Sequence, residues 1–112
     1  MKLFLVRHGR TIANIMGALD TAFPGNSLDA TGLTQAASLP GRLEAGGHLD
    51  AVSSLWTSPI ARARETIAPV ERATGLSAHV ESGLREVLAG DLEMRTDARS
   101  VACYTDTTRA WM

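Results

Sequence analysis

The chain has 112 residues, 45% apolar and 21% charged, with a formal net charge of −1 at pH 7. These values describe one soluble globular domain with enough chain to bury a core, and they exclude the disordered and membrane-spanning classes. Lys and Arg are scattered without a basic stripe, and no apolar run approaches the roughly 20 residues of a membrane span, so neither nucleic acid nor a membrane is expected as a partner. The apolar run at the start is too short for a signal peptide, which makes the cytoplasm the expected location. The single cysteine, Cys103, has no partner for an internal disulfide and no metal-ligand spacing around it. It reads as a passive thiol.

Leu3–Val6 reads as a short buried strand that delivers Arg7 and His8 at its end, with Gly9 freeing the backbone for a turn. A short helix is expected over Thr11–Met16, ended by Gly17, followed by a loop over Asp20–Asn26 that carries Pro24-Gly25. Asp29 is the expected N-cap of a longer helix running towards Ala45. That helix should bury Leu33, Ala36, Leu39 and Leu43, and kink or break at Pro40. A second strand is expected over Ala51–Thr57. Ser58-Pro59 then reads as N-cap and first turn of a helix burying Ile60, Ala63, Ile67 and Val70, bent at Pro69 and closed by Gly75. A third strand is expected over Leu76–Val80, leading into Arg85-Glu86. Beyond Gly90 a charged loop precedes a final helical stretch, in which Tyr104 and Trp111 share a face, and Asp91 and Glu93 read as solvated. The order strand, helices, strand, helix, strand predicts an α/β fold with a parallel sheet and right-handed crossovers.

Three polar clusters each follow a predicted strand: Arg7-His8, Ser58 to Arg62, and Arg85-Glu86. Ligands of parallel α/β sheets bind beyond the carboxyl ends of the strands, so the three clusters should meet in one crevice. There, Arg7 and Arg62 can hold a phosphate by forked, charge-assisted hydrogen bonds, with a helix start at Ser58-Pro59 adding a favourable dipole. A neutral His8 imidazole can attack phosphorus, and Glu86 can pass a proton to the leaving oxygen. Each residue also has a plain structural reading. Arg62 and Arg64 can be surface charges, Glu86 a loop acid paired with Arg85, Thr11 and Asn14 local caps, His48 a solvated loop residue, and His79 a strand residue packed or exposed beside the sheet.

Four motifs in order carry a resemblance to a known family. They are Leu5-Val6-Arg7-His8-Gly9-Arg10-Thr11 with Asn14, Leu28-Asp29 with Gly32 and Gln35-Ala36, Thr57-Ser58-Pro59-Ile60-Ala61-Arg62-Ala63-Arg64-Glu65-Thr66, and Leu84-Arg85-Glu86 with Gly90 and Glu93. Together they resemble the N-terminal part of the histidine phosphatase superfamily, phosphoglycerate mutase-like branch. The resemblance implies a three-layer α/β/α fold with a mainly parallel sheet, here as a single, incomplete domain over residues 1–112. It implies a phosphomonoester hydrolase or phosphoryl-transfer enzyme acting through a phosphohistidine on His8. Glu86 would be the proton donor, Arg7, Arg62 and Asn14 would bind the phosphoryl group, and no metal or organic cofactor would be needed. The partner is then a small phosphorylated substrate.

Three departures stand out. Arg10 replaces the family's usual Glu or Gln and adds positive charge beside the pocket, and Asp29 replaces its usual Thr. The family's second catalytic histidine, in a C-terminal histidine-glycine motif, has no counterpart here. A chain of this extent is expected to leave strand edges open for self-association, and its activity is expected to be impaired. The alternative is an inactive remnant that binds a phosphorylated ligand or a protein.

Overall fold

A computed structural model describes residues 1–110. Trp111 and the helical face it would share with Tyr104 lie outside the described residues. The regular elements are α1 (Ile12–Met16), α2 (Ala30–Ala45), β1 (Trp56–Thr57), α3 (Ala61–Thr74), β2 (His79–Val80) and α4 (Ala98–Arg109), with short 3-10 turns at Leu49–Ala51, Ser82–Leu84 and Gly90–Leu92. Among the described residues no helix is long and apolar enough to cross a membrane.

The helices form where local signals ask for them. Thr11 and Asn14 make a reciprocal capping box at the start of α1, and Gly17 ends it in the left-handed region at φ 69°. Asp29 caps α2, its carboxylate accepting from the Gly32 N–H at 2.7 Å. This helix runs unbroken through Pro40. One lost ladder bond does not end it because its turns pack along α3. Leu33, expected inside, is 54% exposed, while Gly32 and Ala36 are buried. The reason is close approach: a Cβ on Gly32 would stand 2.1 Å from the Arg10 carbonyl oxygen, so the first turn of α2 lies directly on the backbone after His8.

The third helix starts later than Ser58-Pro59 implied, with Ile60 as its N-cap and no side-chain cap. Its first N–H, that of Ala61, is satisfied instead by the Pro24 carbonyl at 2.9 Å. Its buried stripe is Arg62, Thr66 and Val70, with Ile60 just before, whereas Ala63 and Ile67 are only half-buried. The stripe is rotated from the purely apolar one because the Arg62 guanidinium finds polar partners inside, described below. Pro69 sits within the helix, and Gly75 closes it at φ 73°.

Strands are shorter than the sequence pattern suggested. β1 and β2 pair in parallel, Trp56 opposite His79 and Thr57 opposite Val80, and the N–H groups of His79 and Glu81 extend the ladder to the carbonyls of Leu55 and Thr57. Leu3–Val6 is not a strand. It has no ladder bonds among the described residues, and Leu3 and Leu5 are 79% and 89% exposed. An apolar run becomes a strand only beside a neighbour that takes its backbone donors and acceptors, and the described residues place none there. Among the described residues the buried apolar ones are few: Ala13, Leu28, Ala36, Leu55, Ile60 and Val70. Cys103 is a free, exposed thiol on α4.

Candidate active site

The turn after Leu3–Val6 is fixed from three sides. The Gly9 N–H donates to Thr66 Oγ1 at 3.0 Å, and that hydroxyl donates onward to the Arg62 carbonyl at 2.7 Å. The Arg10 N–H donates to Gln35 Oε1 at 2.9 Å, and the Arg10 carbonyl accepts from the Asp29 N–H at 2.9 Å. Gly9 and Gly32 allow the approach; a Cβ on Gly9 would come within 2.6 Å of the Gly32 carbonyl oxygen. A loop otherwise free to move is thus bolted to the start of α2 and to the buried face of α3.

His8 sits half-buried on this turn, with Nδ1 2.7 Å from the Gly9 carbonyl oxygen. A carbonyl can only accept, so Nδ1 carries the proton of the neutral ring and Nε2 keeps its lone pair. A cavity of about 380 Å³ opens beside it, lined by Arg7, His8, Arg10 and Asn14, by Gln35 and Arg42 of α2, and by Thr66 of α3. Three arginines and no carboxylate line it.

Arg62 and Glu86 lie outside that lining but together. The Arg62 side chain is only 3% exposed; its Nη2 donates to the Asp20 carbonyl at 2.9 Å, and its Nη1 lies 3.5 Å from Asp20 Oδ2. Gly25 makes room for it, since a Cβ there would meet Arg62 Nη1 at 2.7 Å. Glu86 Oε1 is 3.4 Å from Arg62 Nη2 and its side chain is 47% exposed. The plain reading of Glu86 as a loop acid paired with Arg85 does not match, since Glu86 lies with Arg62 and Arg85 places its guanidinium 5.8 Å from the centre of the Phe23 ring.

Of the five predicted site residues, the fold gathers Arg7, His8 and Asn14 around one cavity and joins Arg62 to Glu86. The Gly9–Thr66–Arg62 bonds tie the two groups together. Asn14 also acts as the local cap, its Oδ1 accepting from the Thr11 N–H at 2.9 Å. Arg64 is an exposed surface charge. His48 is not a solvated loop residue; it stands half-buried, 4.7 Å from the Phe4 ring, while the exposed His79 stacks on Trp56 at 4.6 Å.

Two expectations about charge change. Arg10 is not a free cation beside the pocket: its Nε donates to Asp29 Oδ2 at 2.7 Å and its Nη2 to Thr31 Oγ1 at 2.9 Å. The Asp29 carboxyl is held below its ordinary value, first by the Gly32 N–H and then by Arg10. Glu93 is not simply solvated; half-buried, it accepts from the N–H groups of Thr21 and Ala22 and from the Thr21 hydroxyl. Asp20, Thr21 and Glu93 form a hydrogen-bonded neighbourhood beside Arg62 whose joint arrangement the sequence pattern did not show. The available signal was an acid at the edge of a loop next to the site, and Glu93 standing three residues after Gly90 in the last motif.

The site is therefore a polar pocket at the ends of extended segments of an α/β protein, with a histidine of defined tautomer among arginines. Comparison with known proteins names the class. The model of the histidine phosphatase superfamily, branch 1, matches residues 3–112, and the chain belongs to that family. It is 39% identical over 94 residues to a probable phosphatase of Schizosaccharomyces pombe, covering 83% of this chain and 43% of that protein. It is 36% identical over 88 residues to the PE-PGRS family protein PE_PGRS11 of Mycobacterium tuberculosis, covering 79% of this chain and 15% of that protein. The mycobacterial glucosyl-3-phosphoglycerate phosphatase Rv2419c, solved in complex with VO3, superposes with a TM-score of 0.74 at 27% identity, over 93% of this chain and 49% of that one. The fold is the phosphoglycerate mutase-like α/β fold. The chain spans half or less of the length of each of these proteins.

Proposed function

We propose that this chain carries the phosphoryl-transfer half-site of a phosphomonoesterase that works through a phosphohistidine on His8. The observation that carries the reading is the 2.7 Å contact of His8 Nδ1 with the Gly9 carbonyl, which uses Nδ1 as the donor and leaves the Nε2 lone pair of the neutral ring for attack, in a pocket lined by arginines. The Nε2 lone pair attacks phosphorus and the bond from phosphorus to the ester oxygen breaks. That oxygen leaves with a proton supplied by Glu86. Water then attacks the phosphohistidine, giving its proton to the Glu86 carboxylate as the N–P bond breaks and phosphate departs. Arg7, Arg62 and Asn14 hold the phosphoryl oxygens, and Arg62 is prepaid in position by Asp20. The pocket's cationic lining favours a small phosphorylated substrate, and family membership and the phosphatase relatives support hydrolysis as the reaction type.

The test is release of phosphate from an aryl phosphate by the chain and by His8→Ala, with mass spectrometry of the trapped protein. Turnover and an acid-labile phosphate on His8 are expected in the parent and in neither respect in the variant. Equal turnover in the variant refutes the reading.

A second reading is binding without turnover. The bare Leu3–Val6 segment favours it. It is distinguished by phosphate binding that depends on Arg7 and Arg62 with no His8-dependent release. The same bare segment supports self-association by strand pairing between copies. A cytoplasmic setting suits a chain whose one cysteine is a free thiol.

A further inference from the structure

We propose that Glu93 is a positioning residue for the phosphate-binding guanidinium, acting on Arg62 through Thr21 and Asp20; the inference rests on the reading of Arg62 given above. Two segments flank Arg62. One carries Asp20, whose carbonyl accepts from Nη2 at 2.9 Å, and the other carries Glu86, 3.4 Å from the same nitrogen. Arg62 itself touches both segments, and Glu93 helps to tie them directly to each other.

Its Oε2 accepts from the Thr21 N–H at 2.8 Å and from the Ala22 N–H at 2.9 Å, and its Oε1 accepts from the Thr21 hydroxyl. The same hydroxyl accepts from the Ala89 N–H at 2.8 Å, three residues beyond Glu86. Thr21, at 2% exposure, is thus the buried joint between the two segments, and it is the next residue after Asp20. Asp20 is further set by Asn26, whose backbone N–H and side-chain amide donate to its Oδ2 at 2.9 and 3.0 Å. Leu19 and Met94 continue the junction, the Met94 N–H donating to the Leu19 carbonyl at 2.7 Å. The orientation of Asp20's carbonyl, and with it that of the guanidinium, is therefore referred to one carboxylate with three donors on it. The Thr21 N–H lies within reach of both oxygens, at 3.1 Å from Oε1 and 2.8 Å from Oε2, and Ala22 donates to Oε2. Glu93→Gln keeps the shape but removes the charge and leaves one oxygen for these donors, its NH2 facing either an N–H or the Thr21 hydroxyl, so the charge-assisted bonds are lost or weakened.

The experiment uses the full chain, with inorganic phosphate as ligand and two readouts: its dissociation constant by calorimetry, and the Arg62 Nε–H cross-peak in the ¹⁵N-resolved spectrum. Glu93→Gln is expected to weaken phosphate binding about tenfold, the size typical when a group supporting a binding side chain is lost. It should shift or broaden the Arg62 signal while the Trp56 indole signal stays in place. Glu93→Asp is expected to recover part of both. Glu71→Gln, which alters a carboxylate holding the Ala78 N–H at 2.8 Å elsewhere, is expected to change neither. A folded Glu93→Gln protein with the parent Arg62 signal and an affinity within twofold overturns the proposal. Should that variant not fold, Thr21→Ser against Thr21→Val asks the same question through the hydroxyl, and equal Arg62 signals in the two overturn it. If the parent chain binds no phosphate, the phosphate-site reading fails, and the Arg62 signal alone then decides whether Glu93 sets the guanidinium.

Discussion

Thr66→Val tests the bolt that holds the His8 turn. The substitution keeps the volume and β-branching of a side chain that is 8% exposed, but removes the oxygen that accepts from the Gly9 N–H at 3.0 Å. The Arg62 carbonyl, which loses the donor at 2.7 Å, still lies in the helical ladder of α3, so its share of the loss is small. Gly9 is buried and packed on Gly32, so its N–H has no ready access to water. An unsatisfied buried donor costs about 1–3 kcal/mol, and that range is the expected loss of stability. Urea unfolding measures it as a lower midpoint at unchanged slope, and a thermal scan should show a fall of roughly 4–8 °C per kcal/mol. Thr66→Ser, which keeps the acceptor, should recover most of it. A loss below about 0.5 kcal/mol, the range of an ordinary surface change, would refute the claim that this hydroxyl carries the turn.

Gly32→Ala should destabilise by about 3 kcal/mol or more in urea, because its Cβ would meet Arg10 backbone atoms at 2.1 and 2.8 Å that cannot rotate aside. Gly17→Ala, at φ 69° in open space, should cost only about 1–2 kcal/mol for the left-handed conformation. Asp97 caps α4, and the Ser100 hydroxyl at 2.7 Å and N–H at 3.0 Å lower its pKa from 3.8 to about 2. The unfolded chain thus binds this proton more readily. The stabilisation is complete above 3.8 and is lost as pH falls through about 2. Thermal midpoints of the parent and Asp97→Asn should therefore differ at neutral pH and converge across that acid window; a constant gap would contradict the assignment. Leu5→Glu, at a position 89% exposed, should lower the mass seen by light scattering at high concentration if Leu3–Val6 pairs between copies, and an unchanged mass speaks against such pairing.

Most helix ends were legible because their signals are local, although the start of α3 and the unbroken run of α2 through Pro40 were not. Thr11 with Asn14, Asp29 before Gly32, and Gly17 and Gly75 at the ends are contacts within one or two turns, and each is made where the residue types imply. Strand extent was not legible, because a ladder belongs to two segments at once. Ala51–Thr57 and Leu76–Val80 have strand composition, yet only Trp56–Thr57 and His79–Val80 pair, and Leu3–Val6 pairs with nothing described. The same division runs through the site. Strand-end logic put three clusters in one crevice; Arg62 does meet Glu86, but Arg7 and His8 follow no strand and line a cavity those two do not, and Thr21 and Glu93, 72 residues apart, share no periodic trace.

Arg10 and Asp29 show what single-position reading leaves out. Taken separately, an arginine in place of an acid or amide suggests a more cationic pocket, and an aspartate in place of a threonine suggests only another cap. In the fold the two are bonded at 2.7 Å, and the aspartate caps α2 with its other oxygen while its own N–H donates to the Arg10 carbonyl. Their charges offset one another at the rim, where a partly exposed pair contributes little energy but fixes direction. The consequence reaches His8. Arg10 is two residues from it, and the bonds to Asp29, Thr31 and Gln35 hold the backbone on the far side of Gly9 as the Thr66 hydroxyl holds the near side. Of the three arginines lining the cavity, Arg7 and Arg42 are the ones with no carboxylate partner among the described residues, and the departures at Arg10 and Asp29 act together as a brace for the His8 turn.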